Sequence, residues 1–277
     1  MKRLIPCLII LFTSCDYFMS DRDIASGHIN YIERISVNDV ELGTPKSGEW
    51  LFEHKESGQT FLEYKSSKPI RPTVNKSTIY LIPIGDFSSS IQTRLISKVR
   101  EYVEIYFQQK TVLLSAIPAS KIPPKAIRNR GDYKQWLASY ILDSILKGNT
   151  PKDGISLMAL SEQDLYPNNE WNFVFGLASY RERVGVSSIA RLYENKLTDS
   201  NFTLCLRRIC QVATHEIGHM MSIKHCTYAA CVMNGSNGLY ESDNTPNRLC
   251  SVCQKKLLWN FKFDPEKRLK IGRASCR

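Results

Sequence analysis

Residues 215–226 read HEIGHMMSIKHC, which puts three of the chain's five histidines inside eleven positions and a glutamate beside the first. Imidazoles and a carboxylate at this density suit a metal ion and a proton carrier. On a helix, His215 and His219 lie four positions apart and share a face, so both reach one zinc ion at about 2.0–2.1 Å while Glu216 points at an open coordination position. Zinc lowers the pKa of a bound water towards about 7, and Glu216, as general base, takes the proton as the water attacks a carbonyl that the metal also polarises. The MMSIK spacer lets the chain leave the helix and bring His225 back as the third ligand. A helix with merely solvated histidines is the bland alternative. It would make the third histidine, Met233 and the downstream cysteines coincidences.

Cys226 and Cys231 form one close pair, and after eighteen intervening residues Cys250 and Cys253 form another. That spacing has the form of a closed, four-coordinate structural zinc site, which would be the chain's second zinc. Cys226 directly follows His225, so a clamp there would fix the backbone presenting the third ligand. Two disulfides, favoured in an oxidising compartment, or reduced buried thiols are the alternatives. The spacing favours metal. Cys205 and Cys210 in CLRRIC fall on different faces of a helix and read as packing residues.

The elements that must position these groups begin after residue 75. Residues 16–75 are polar and irregular, and YKSSKPIRPTVNKS marks the end of this arm. Residues 78–84 (TIYLIPI) predict a buried strand, residues 90–107 carry helical periodicity, and residues 111–117 read as a further strand. Residues 133–146 predict a second amphipathic helix, residues 154–160 a third strand, and residues 172–175 and 184–190 two more. There is no internal repeat. The expected division is 1–14 signal peptide, 15–75 arm and linker, and 76–277 catalytic domain with the four-cysteine site.

HEIGHMMSIKHCTYAACVM followed by NGSNGLYESDNTPNRLCSVC resembles the signature of the archaemetzincins, metzincin-clan zinc proteases whose histidine motif runs straight into a four-cysteine zinc site. DLYPNNEWNFVFGLASYRERVGVSSIARL resembles the family's central stretch, so the likeness spans residues 76–263. It implies an α/β (α+β) metzincin-like zincin fold: a twisted mixed sheet, a backing helix and the HExxH helix across the sheet's lower side. It also implies that Met233 is the Met-turn residue beneath the metal, and that an edge strand above the metal pairs with extended substrate. Residues 184–190 are assigned that edge, with an interior strand lacking a free edge as the alternative. Arg191 and Tyr193 near its end could stabilise an oxyanion but fit surface roles as well, and Trp171 and Trp259 read as core fillers. One departure stands out: metzincins carry glycine three residues after the second histidine, where the chain turns sharply, and here Ser222 occupies the position. A non-glycine residue at positive φ costs on the order of 1 kcal/mol.

Lys2 and Arg3 precede LIPCLIILF, a run too short to span a bilayer as a mature helix but suited to an export signal. It ends in FTSC, resembling a lipoprotein box in which Cys15 is acylated and becomes the mature first residue, with Cys7 lost in the signal. A membrane-anchored lipoprotein of the cell envelope is the expected location, with simple secretion or a membrane-tethered signal, and a cytoplasmic protein with an apolar first strand, as the alternatives. The formal net charge is +10, and +8 once Lys2 and Arg3 are removed. The surplus sits in short groups such as KKLLWNFKF and EKRLKIGR without a nucleic-acid reading module, so the expected partners are a peptide or protein substrate and a membrane, with no nucleic acid. At 43% hydrophobic residues the chain can bury one substantial core. The function implied is a zinc metallopeptidase. A catalytically silent zinc-containing peptide-binding or scaffold lipoprotein is the alternative, and Glu216 argues against it, because a pure binder has no need of a carboxylate beside the open metal position.

Overall fold

The computed structural model describes the backbone of residues 21–274 and the side chains of residues 29–269; Cys7, Cys15 and Cys276 lie outside this range. Strand β1 (Thr78–Ile84) is apolar on both faces and lies between β2 (Thr111–Leu113) and β5 (Gly154–Ser161), both parallel to it. β8 (Val184–Ser188) pairs parallel with β5, and β7 (Gly176–Ala178) closes the row antiparallel to β8, giving the order β2-β1-β5-β8-β7. A sheet covered on both faces requires such near-continuous apolar strands. All eight residues of β5 are buried.

Helix α4 (Ser90–Phe107) backs the sheet, with Leu95, Val99, Val103 and Tyr106 turned inward at helical spacing. Ser89 caps its first turn by accepting from the Gln92 amide. Beside it runs α6 (Phe202–Met220), the helix that carries HEIGH. Cys205 and Cys210 pack into the core between these helices and the sheet, as their spacing suggested. A second apolar cluster on the opposite face gathers Trp136, Ile141, Leu142, Leu146, Leu157 and Val186.

Several expectations need correction. Residues 133–137 are not helical: they form β4 (Tyr133–Leu137), hairpinned through Gly131 (φ +57°) to β3 (Ile127–Arg130) and paired parallel with β6 (Asp164–Tyr166). Helix begins only at α5 (Ala138–Tyr140) and continues as a π-turn over Ile141–Leu146. Trp136 and Leu137 suit both periodicities, and a neighbouring strand on each side settled the choice. The strand expected at 172–175 lies at 176–178, with Val174 contributing a single bridge to Leu165. Residues 184–188 are not the edge: all five are buried between β5 and β7, and β7 holds the margin.

The segment read as irregular is also structured. It contains α1 (Asp21–Ser36), α2 (Trp50–Glu53) and α3 (Phe61–Ser66), the last begun by a capping box in which Thr60 and Glu63 satisfy each other's amides. Tyr31 and Tyr64 belong to the main core. The five-residue α7 (Leu239–Asp243) is followed by α8 (Ser251–Phe261) and α9 (Pro265–Ala274), with α8 packing against α1 and α3.

Candidate active site and metal centres

Helix α6 presents His215 and His219 one turn apart, and both rings are oriented by backbone carbonyls. His215 Nδ1 lies 2.8 Å from the Val232 carbonyl and His219 Nδ1 lies 2.7 Å from that of Ile223. Each carbonyl accepts the Nδ1 proton, which leaves the Nε2 lone pairs free; the two Nε2 atoms face each other at 2.9 Å. Burial and the neighbouring imidazoles favour the neutral, ligating form, taking His215 down to about 3 and His219 well below its ordinary value.

The chain then leaves the helix through a Schellman turn. The Ile223 amide bonds the Gly218 carbonyl at 3.0 Å and the Ser222 amide bonds the His219 carbonyl at 2.8 Å. Ser222 sits at φ +68°, the left-handed conformation expected of the usual glycine, so the sharp turn survives the substitution. It delivers His225 to the other two rings, with centroids 5.2 Å from His215 and 4.9 Å from His219. One ligand atom from each of the three rings falls within a mutual 4.8 Å.

Glu216 is 6% exposed, and burial alone pushes its carboxyl up to about 8. It lies against the backbone of β7: a Cβ on Gly176 would stand 2.5 Å from Glu216 Oε1. Met233 is fully buried beneath the histidines, and a side chain on Gly218 would meet its sulfur at 2.5 Å. Glycine inside a helix costs about 0.5–1 kcal/mol relative to alanine, and here it makes room for the methionine. Above the rings opens a cleft of about 800 Å³, walled by Trp50, His54, Trp171, Phe175 and Tyr180. The Tyr180 hydroxyl comes within 2.9 Å of His219 Nδ1. Burial, then the charges of Glu216 and Glu56, keep its phenol protonated.

Cys226, Cys231, Cys250 and Cys253 are all buried, and their sulfurs lie within 4.8 Å of one another. All four are free thiols; Cys226 and Cys250 approach to 3.6 Å without a bond, so the disulfide alternative does not hold. Sulfur donors from Cys231, Cys250 and Cys253 drive Cys226 far below the usual thiol range. The amides of Met233 and Cys250 point at Cys231 Sγ from 3.5 and 3.3 Å, and the Cys226 amide bonds the Met233 carbonyl at 2.8 Å. Four converging sulfurs with donors to one of them suit a thiolate-bound cation, and this site is bonded directly to the floor of the histidine site.

Residues 129–258 match peptidase family M54. Archaemetzincin-2 of Pongo abelii is 32% identical over 265 residues, an alignment covering 83% of this chain and 72% of that protein. The chain belongs to the archaemetzincin family. The archaemetzincin of Thermococcus kodakarensis is 30% identical over 184 residues, covering 66% of this chain and 96% of the relative. Crystal structures of archaemetzincins from Archaeoglobus fulgidus, complexed with malonate, and Methanopyrus kandleri match with TM-scores of 0.52 and 0.54 at 26% and 27% identity. Each matches over 99% of its own length, which corresponds to 65% and 69% of this chain. The fold is therefore that of the archaemetzincins, and the protein is a zinc metallopeptidase with one three-histidine and one four-cysteine group fit to hold metal.

The three histidines and the four cysteines singled out in this archaemetzincin's sequence form two clusters, and Glu216 lines the same cleft as the histidines. Arg191 does not face the cleft chemistry. It forks onto the buried Asp164 at 2.8–2.9 Å and stacks between Tyr133 and Phe173. Trp171, read as a core filler, instead lines the cleft, stacked on His54 at 5.5 Å. Trp50, His54, Glu56, Gly176 and Tyr180 went unsingled in the sequence. A mid-helix glycine was the only local signal for Gly218, and Glu56 had none, standing 169 residues from the histidine it touches.

Proposed function

We propose that His215, His219 and His225 hold the catalytic zinc, that Cys226, Cys231, Cys250 and Cys253 hold a structural one, and that Glu216 is the general base in peptide-bond hydrolysis. One observation carries the reading: three imidazoles have their Nδ1 positions engaged and bring one ligand atom each within 4.8 Å of the others, the Nε2 atoms of His215 and His219 facing each other at 2.9 Å, with a buried carboxyl alongside that only burial perturbs. When bound, zinc supplies a polarised carbonyl and a water of lowered pKa. Glu216 accepts the proton of the attacking water and delivers it to the leaving nitrogen. The marginal strand β7 aligns an extended peptide by strand addition across the cleft, so backbone hydrogen bonds set the register while the aromatic walls select side chains.

The test is cleavage of a peptide library by the zinc-loaded chain and by Glu216→Ala. Turnover falls about 10²–10⁴-fold in the variant while zinc content is kept. Peptides that bind equally to both proteins with no bond broken would instead make the chain a capture module. The N-terminal run supports placing this chemistry at the cell envelope through acylation at Cys15. Fatty-acid labelling and membrane partition, both abolished by Cys15→Ser, are the expected results. An unlabelled protein retaining Met1 would refute the anchor.

A further inference from the structure

Two of the three histidines are oriented by carbonyls close to them in sequence, but His225 is not. Its Nδ1 lies 2.9 Å from both Oε1 and Oε2 of Glu56, with side chains 19% and 30% exposed. Glu56 lies well outside the family match at residues 129–258. The segment around it is fastened on both sides. Before it, the Trp50 amide donates to Glu241 at 2.9 Å and the Trp50 ring stands edge-on to His225 at 5.1 Å. After it, Gly58 (φ +68°) packs so closely on Thr227 that a Cβ would fall 2.3 Å from its hydroxyl oxygen. Gln59 then spans the turn that delivers His225: its side chain donates to the Ser222 carbonyl at 3.2 Å and accepts from the Lys224 amide at 3.3 Å. Buried Lys256 donates to the Gln59 carbonyl, and the Tyr64 hydroxyl donates to the Met221 carbonyl at 3.0 Å.

We propose that Glu56 is the positioning residue of the third metal ligand and that residues 50–64 are part of the metal site. Its carboxylate accepts the His225 Nδ1 proton, which fixes the tautomer with Nε2 free, holds the ring towards its two partners and makes that nitrogen a stronger donor. Gln59 performs the matching task for the backbone, bracing a turn whose serine lacks the conformational freedom of glycine. The proposal rests on His225 being a ligand, so the test measures that separately.

Zinc affinity of the three-histidine site is read by chelator competition in the full chain, with the four-cysteine zinc retained as an internal reference. Comparison proteins are Glu56→Met, which keeps the bulk without an acceptor, Glu56→Ala, Glu56→Gln, which keeps an oxygen acceptor, and His225→Ala. Affinity falls about 10–100-fold in Glu56→Met and Glu56→Ala, recovers in part in Glu56→Gln, and the melting temperature of the protein lacking the histidine-site metal stays close to wild type. Affinity within twofold of wild type in Glu56→Met, beside a large loss in His225→Ala, overturns the role of Glu56 alone. No loss in His225→Ala overturns the ligand assignment itself. A fall in melting temperature with affinity intact also overturns the proposal, because it makes Glu56 a fold residue. None of these readouts requires a peptide to be cut.

Discussion

Gly176→Ala separates the geometry of the proposed base from the stability of the fold. The added Cβ would stand 2.5 Å from Glu216 Oε1, 2.7 Å from Cγ and 2.8 Å from Cδ, against an ordinary contact of at least 3.4 Å. The carboxyl must therefore retreat by about 0.9 Å, the difference between the two separations. A displacement of about 1 Å at a reacting group costs on the order of 10²-fold in rate, or about 2.7 kcal/mol of barrier. The backbone offers no offsetting penalty: Gly176 has no left-handed φ, β7 is marginal, and alanine gains about 0.5–1 kcal/mol over glycine in a strand. The expected variant melts at or slightly above the wild-type temperature, keeps its zinc, and loses about 10²-fold in kcat. The assay is steady-state cleavage of a fluorogenic peptide chosen from the library, beside thermal melting and metal analysis. Full turnover with zinc content unchanged would refute the placement of Glu216 as the working base. A large drop in melting temperature would refute the claim that only the carboxyl is disturbed.

Replacing Cys250 and Cys253 together with serine should release the more tightly held of two zinc ions per chain, lower the melting temperature by several degrees and weaken the histidine site through the Cys226–Met233 backbone bond; metal analysis and calorimetry check this, and an unchanged metal count would refute the second site. In the metal-free protein, Glu216 titrates near 8 when folded against an ordinary value of 4.5. Its folded form therefore keeps a proton that the unfolded chain has released, so stability falls as pH rises, by up to about 1.4 kcal/mol per unit. His215, depressed to about 3 from 6.5, works in the opposite sense and loses stability as pH falls below 6.5. Between pH 6.5 and 8 only the Glu216 contribution of this pair varies, so Glu216→Gln should flatten the denaturation free energy there, and a slope unchanged from wild type would contradict the buried-carboxyl reading.

The sequence by itself determined the chemistry that local spacing can encode. Four positions on a helix place His215 and His219 on one face, HExxH sets Glu216 beside them, and the adjacency of His225 to Cys226 couples the two sites. The turn at residue 222 was expected only through the resemblance, which puts glycine there and left the geometry open with serine; Ser222 adopts φ +68° all the same. Strands β1 and β5 were also readable from apolar runs that suit burial on both faces.

Only the tertiary structure decided which strand forms the margin. A short segment such as VGVSS at 184–188 fits an edge or an interior position alike, and the antiparallel return of β7 made it interior. Residues 133–137 became a strand because partners stood on both sides, a preference that resides in the neighbours more than in the segment. Trp171 lines the cleft through its stacking on His54, a residue from a distant stretch of chain. Glu56 is the clearest case: no periodicity links it to His225, and their contact exists because Trp50, Gly58, Gln59 and Tyr64 each find a surface in the C-terminal half of the chain. Spacing specifies what one helix or turn can present, whereas a hydrogen bond across 169 residues depends on every packing contact that brings the two segments together.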